Sequence, residues 1–274
     1  MKQFIYKFEA MSTDCELILF SKSKAQADKA AKSVLLEEKR LEKKYNYFDN
    51  NSFLSQLNTR ATDLLDMESK NLLERVKKYY KLTEGLFDIT VATFKPLYTQ
   101  NLSTKELMKR KEELLPFVGC EHFSLKKGKL IFDNSFTMID LGGFVKEYSV
   151  DRAVKILQKE KIKSALINFG GDIYALGKKP NGEKFRVGIK NPHNPSENVK
   201  SVQIEDEALT TSASYERNYQ VGDKTFSHIF SKKEGVNQVL SVTVISSNCV
   251  ESGVYSTALM INPNLKTSHK TIPL

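Results

Sequence analysis

Apolar and polar positions alternate with a period of two in two early stretches, Phe4 to Phe8 and Cys15 to Phe20. Ala10-Met11-Ser12-Thr13 lies between them, so an N-terminal hairpin or bulged strand is predicted. The period then lengthens. Ala27, Ala30, Ala31, Val34, Leu35 and Leu41 share one face of a helix that Ser21 or Ser23 caps and that runs to about Lys44. A short helical turn is predicted from Ser52 to Leu57. A second long helix, capped by Ser69 and carrying Leu72, Leu73, Val76, Tyr79 and Tyr80, stops at Gly85. Ser103-Thr104-Lys105-Glu106 is a capping-box pattern opening a helix that ends at Pro116. Leu125 to Phe132 reads as a hairpin turning at Gly128. A strand-like run, Phe136 to Leu141, then meets Gly142-Gly143, and a helical face follows at Val145, Ser149, Val150, Ala153, Val154, Ile156 and Leu157. Strands are predicted at 165–168, 173–176, 185–189, 202–204 and 208–211. The β-branched run Val239 to Ile245 is the strongest strand, and a helix from about Val250 to Met260 follows it. Intermixed helices and strands imply an α+β (α/β mixed) protein with mixed sheets flanked by helices. It is read as one domain over 1–274, with two sub-domains around a central cleft as the alternative division.

The candidate chemistry gathers at glycines and acids near strand ends. A strand, a glycine pair and a helix start present free N–H groups and a positive dipole end to an anion. Lys146 stands in the first turn of that helix, where a cation is unfavourable unless an anion is shared with it. The plainer alternative has the glycines turning the chain and Lys146 solvated. Asp88 interrupts the apolar run Leu86 to Val91 and needs a partner, either a local cap or a ligand. Gly170-Gly171-Asp172 stands between two strands, where glycine implies close approach of backbone to something. Thr210-Thr211-Ser212-Ala213-Ser214 offers hydroxyls and turn N–H groups, or is an ordinary Ser/Thr turn. Of four histidines, His228 alone lies in an apolar strand-like run, next to Phe226 and Ile229.

Composition narrows the classes. A 40% hydrophobic and 27% charged chain is ordinary for a globular protein. Its formal charge of +9 comes from scattered lysines, with no nucleic-acid motif, so a nucleic-acid partner is not expected. Cys15, Cys120 and Cys249 form no CxxC pair. No run approaches the roughly 20 apolar residues of a membrane span. Nothing at the N-terminus reads as a signal peptide, which suggests the cytoplasm for the chain as given. A periplasmic or membrane-anchored location is the alternative if it is a piece of a longer chain. Neither GxGxxG nor GxxxxGK[ST] occurs.

Together the blocks resemble the ApbE family of FAD:protein FMN transferases, in the family's order and through nearly the whole chain. Met11-Ser12-Thr13 is similar to the family's Met-Gly-Thr, and Ser52 with Leu57-Asn58 to its Ser…Leu-Asn segment. Glu84 to Val91 is similar to Gly-x-Phe-Asp-x-Thr, and Leu141 to Glu147 with Val150-Asp151 to Leu-Gly-Gly-x-x-Lys-Gly. Asn168 to Asp172 is similar to Asn-x-Gly-Gly-Asp, and Thr211 to Tyr215 to Thr-Ser-Gly-x-Tyr.

The resemblance implies an ApbE-like fold with a cleft for FAD and a Mg²⁺-dependent cleavage of FAD. The FMN half would pass to a Thr or Ser hydroxyl of a target flavoprotein, with AMP released. Met11, Asp88, Thr90, Gly142, Gly143, Lys146, Gly170, Gly171, Asp172, Thr211, Ser212, Tyr215 and His228 would contact FAD. Lys146 and His228 would serve catalysis, His228 as base or proton relay. The Val145 carbonyl and Thr257 would hold the metal. Two departures stand out. The family's metal-site Asp, four residues before Thr257, is Gly253, and the Gly after its lysine is Glu147. A Gly253→Asp substitution is therefore expected to raise metal-dependent turnover, unless Glu251 substitutes. The alternative reading is a catalytically weakened FAD-binding protein that stores or presents flavin.

Overall fold

The computed structural model describes residues 1–214, 218–221, 224–227 and 239–274. Two strands open it, β1 (Lys2–Ala10) and β2 (Thr13–Ser21), joined by a turn at Met11 and Ser12 with φ of 51° and 57°. Helix α1 (Lys24–Tyr45) follows, with Ser23 as its N-cap. Next come α2 (Phe53–Asn58), α3 (Met67–Leu82), a 3₁₀ segment Ile89–Thr99 and α4 (Thr104–Leu114), whose capping box is formed by Ser103 and Glu106. The hairpin of β3 (Phe123–Lys126) and β4 (Lys129–Phe132) leads to α5 (Gly142–Lys159). Strands β5 (Ala165–Phe169), β6 (Asp172–Leu176), β7 (Phe185–Asn191), β8 (Asn194–Ile204) and β9 (Glu207–Ala213) come next. The short pair β10 (Asn218–Val221) and β11 (Lys224–Ser227) precedes β12 (Ser241–Ser246), α6 (Cys249–Ile261) and β13 (Lys270–Pro273).

Seven strands form the central sheet in the order β1-β2-β5-β6-β9-β12-β13. The class is α+β, as expected. The sheets are not mixed, however: among the described residues every pair is antiparallel. The long helical excursion after β2 returns to pair antiparallel as β5, not as a parallel βαβ neighbour. Helices α1 and α5 cover one face of this sheet, burying Leu17, Leu19, Ala30, Val34, Val150, Ala153 and Ile167. The β7–β8 hairpin covers the other face through Val187, Ile189, Val202 and Ile204. β6 lies between both layers, and all five of its residues are buried. A separate apolar cluster joins α1, α2, α3 and the start of α5 through Leu41, Leu54, Leu72, Phe87, Phe144 and Val254.

Three local expectations are corrected. Phe136 to Leu141 is not a strand. The side chain of Asn58 takes a neighbouring strand's place, accepting from the Ile139 N–H and donating to its carbonyl, both at 2.8 Å. Asp66, not Ser69, caps α3: its carboxylate accepts the Ser69 N–H at 2.8 Å. The Thr210–Ser214 stretch is largely strand β9 rather than a turn, so its N–H groups serve the sheet ladder. Among the described residues no helix is long and apolar enough to cross a membrane.

Candidate functional site

The two hairpin turns β1–β2 and β5–β6 lie side by side at one end of the sheet, since Cys15 pairs with Phe169. Gly170 and Gly171 have φ of 60° and 93°, which makes a tight two-residue turn closed by the Phe169–Asp172 pair. That turn, as much as close approach to a ligand, accounts for both glycines. A Cβ on Gly170 would also meet the Thr13 hydroxyl at 2.1 Å. The turn sets Asp172 at the first position of β6, almost fully buried, and Lys146 of α5 reaches it with Nζ 2.7 Å from Oδ2. The shared anion that the lysine's position demands is therefore supplied by the protein itself.

The start of α5 is partly satisfied in the same way. Asp140 accepts the Gly142 N–H at 2.9 Å and forms an ion pair with Lys95. The helix start thus has fewer free donors than the glycine pair suggests, while Gly143 remains exposed with open space beside it.

Asp151, about two turns further along α5, accepts the N–H groups of Cys249 and Val250 at 2.7 and 3.3 Å. A carboxylate at the first turn of a helix suits both its free donors and its dipole. This contact fixes α6 against α5 and β9. On α6, Thr257 comes within 3.2 Å of the Ser212 hydroxyl, which also bonds Ser256 at 2.8 Å. Gly253, one turn before Thr257, lies against Glu147 of α5. A Cβ at position 253 would fall 2.5 Å from Glu147 Cγ and 2.8 Å from its Oε1. The position that lacks a carboxylate is therefore already filled by one from α5. A side chain at position 253 needs Glu147 to move aside, so any gain in turnover from Gly253→Asp depends on that displacement. Glu251 faces Asn248 and His269.

Glu147 is buried, and its Oε2 has no hydrogen-bond partner among the described residues. Burial, and then the charge of Asp172, push its carboxyl up to about 8. The two departures at 147 and 253 are complementary in volume and in charge. Reading them as a pair was the available signal for Glu147, which the sequence reading passed over.

Other expected contacts divide. Met11 sits in its turn with its N–H donating to Glu42 at 2.7 Å, and packs beside the cluster around α2 and α3. Asp88 is buried and caps the 3₁₀ segment, accepting the Thr90 N–H at 2.8 Å and the Thr90 hydroxyl at 2.6 Å. Its other oxygen has no partner among the described residues, and burial raises its carboxyl. Thr90 is fully buried, and its hydroxyl also accepts the Gly119 N–H at 2.6 Å, stapling two loops. Strand alternation turns Thr211 to the face opposite Ser212, where its hydroxyl bonds Thr243 at 2.8 Å. Tyr215 and His228 lie outside the described residues. A surface cavity of about 330 Å³ lined by Gln158, Lys161, Ile162 and Asp206 lies at the far end of α5. At 1.5 Å rise per residue that is about 18 Å along the helix from Lys146, so it is separate from this site.

An antiparallel sheet backed by α1 and α5, with an anion-facing helix start at one end, defines a class with solved members. The ApbE protein of Thermotoga maritima superposes with a TM-score of 0.84 at 24% identity, covering 95% of this chain and 87% of that one. The flavin transferase ApbE of Vibrio cholerae superposes with a TM-score of 0.82 at 21% identity, covering 99% and 97%. The chain belongs to the ApbE family, whose model matches residues 11–269. A Chlamydia pneumoniae FAD:protein FMN transferase is 29% identical over 230 residues, 79% of this chain and 71% of the relative. One from Vibrio cholerae is 27% identical over 83% of this chain and 71% of its own.

Proposed function

We propose that the chain is an FAD:protein FMN transferase that moves the FMN half of FAD onto a Thr or Ser hydroxyl of a target flavoprotein and releases AMP. The observation that carries this reading is the meeting of separate sequence blocks at one place. Lys146 on α5 pairs with Asp172 on β6 at 2.7 Å, Ser212 on β9 meets Thr257 on α6 at 3.2 Å, and Glu147, next to Lys146, lies against Gly253, one turn before Thr257. The relatives named for this activity support it along most of the chain.

In this reading the acceptor oxygen attacks the FMN phosphorus, the bond to the AMP oxygen breaks, and the hydroxyl proton passes to His228. Lys146 offsets charge on the diphosphate and holds it in line. Ser212 donates to a phosphate oxygen, while Met11 and Asp172 line the nucleotide's path. Mg²⁺, when bound, supplies further neutralisation of the diphosphate. The residues present fit such an ion: Glu147 Oε1 lies 2.8 Å from where a Cβ at position 253 would be, one turn before Thr257, and the other carboxylate oxygen, Oε2, has no hydrogen-bond partner among the described residues. The reading as a non-catalytic flavin store drew on the missing carboxylate at 253, and Glu147 weakens that ground.

The test is calorimetric and chemical. FAD should bind the purified chain, and incubation with FAD, Mg²⁺ and a peptide-tagged flavoprotein acceptor should give in-gel flavin fluorescence with AMP release. Absence of FAD binding with and without Mg²⁺ would end the proposal.

A further inference from the structure

We infer that Glu147 is the carboxylate of a divalent-cation site and reaches from α5 the place that a side chain at position 253 of α6 would otherwise occupy. This rests on the transferase reading for its biological sense, but stands on its own geometry. Glu147 Cγ and Oε1 lie where a Cβ at 253 would be, at 2.5 and 2.8 Å, so only a glycine there admits them. The helix shows no other need for glycine at 253, since its backbone is ordinary helix and a glycine inside a helix weakens it.

Charge points the same way. Lys146 is paired with Asp172 at 2.7 Å, and the neighbouring Glu147 has a carboxylate oxygen, Oε2, with no hydrogen-bond partner among the described residues. Thr257 stands one turn after Gly253 on the same face of α6, and Ser212 touches its hydroxyl at 3.2 Å. A buried carboxylate beside neutral hydroxyl oxygens is a hard-oxygen set that suits Mg²⁺ or Mn²⁺, with the remaining positions left to water or phosphate oxygens. A divalent cation bound at a buried carboxyl takes the place of its proton, so metal uptake releases a proton.

The experiment titrates Mn²⁺ alone into the full chain, following the loss of the free-ion paramagnetic resonance signal. A separate calorimetric arm measures FAD binding without metal. Wild-type protein should take up one Mn²⁺. Glu147→Gln should weaken it at least about tenfold, the lower end of what losing even a supporting partner costs a metal site. The double variant Glu147→Gly/Gly253→Asp, which returns the carboxylate to α6, should recover most of the affinity and guards against a trivial folding defect. Metal-free FAD affinity should stay nearly constant across the three. Wild-type Mn²⁺ affinity in Glu147→Gln, or no Mn²⁺ uptake by the wild type at millimolar metal, overturns the inference. Failure of the FAD arm alone strikes the transferase reading and leaves the metal result standing.

Discussion

Lys146 on α5 and Asp172 at the start of β6 form an ion pair 2.7 Å long, in which the lysine side chain is 26% exposed and the aspartate 3%. A pair with one open side can share its cation with a ligand. Lys146→Ala should therefore weaken FAD more than riboflavin, since only the dinucleotide brings a diphosphate. A charged hydrogen bond is worth about 1.5–3 kcal/mol, or roughly ten- to a hundredfold in affinity. The same substitution strands a buried carboxylate and should lower the melting temperature, whereas Lys146→Met with Asp172→Asn should recover part of that loss. Calorimetry with both ligands, beside melting curves, checks it. Equal losses for both ligands would show that Lys146 acts through the fold alone.

Asp151 holds the first turn of α6 to α5 through the Cys249 and Val250 N–H groups. Asp151→Ala should cost about 1–2 kcal/mol, the usual cost of removing a helix-start acceptor. Hydrogen exchange at the 249 and 250 amides should accelerate more than exchange in β12. Uniform acceleration across the chain would mean that Asp151 contributes only to global stability.

Much of this frame was legible because burial leaves a period in the sequence. The alternation of β2 and the helical faces of α1 and α5 each appear as written, since each element has one face on a core. What failed was decided by partners distant in sequence. Phe136 to Leu141 has a strand's composition, but Ile139 bonds the side chain of Asn58, 81 residues away, and Met138 and Asp140 donate to Thr93 and Ile89. Thr211 and Ser212 are alike in chemistry and differ only in which sheet face the register gives them. The aspartates read as ligand candidates are largely busy with backbone N–H groups and lysines of their own fold. Glu147 looked like a lost glycine because its meaning depends on position 253, and no local pattern links the two.

Stability should fall as pH rises through neutrality, and Glu38 is one cause. It is buried on α1, and burial, against the relief of the Ser149 hydroxyl and with the added charges of Glu37 and Glu42, pushes its carboxyl from the usual 4.5 up to about 8. Between those values the folded chain holds this proton and the unfolded chain does not. The unfolded state then binds fewer protons, so folding free energy is lost with rising pH, by up to about 1.4 kcal/mol per unit from this group. Glu38→Gln should remove that share and flatten the slope of urea-unfolding free energy from pH 5 to 8, leaving the part due to Glu147. Parallel curves for the two proteins would show that Glu38 is not the group responsible.

Gly253 and Glu147 should behave as one unit in stability as well as in metal binding. Gly253→Ala has a propensity gain of up to about 1 kcal/mol in a helix interior. Against it stands the contact of the new Cβ with Glu147 Cγ at 2.5 Å, inside a buried layer between α5 and α6. Overpacking of that kind typically costs about 1–3 kcal/mol, so the clash should win and the variant should be less stable. Glu147→Ala alone removes the obstructing carbons along with a buried carboxyl that has an unpartnered oxygen, and should be mild. With both changes the clash is gone and the alanine at 253 keeps its propensity gain, so the double variant should be more stable than the sum of the singles predicts. The interaction energy in this cycle should fall within the range of about 0.5–3 kcal/mol seen for residues in contact. Metal-free urea unfolding of the four proteins measures it. Additive effects would mean that α5 and α6 adjust to accommodate a side chain at 253, and that the exchange of glycine and acid between the two helices has no steric basis.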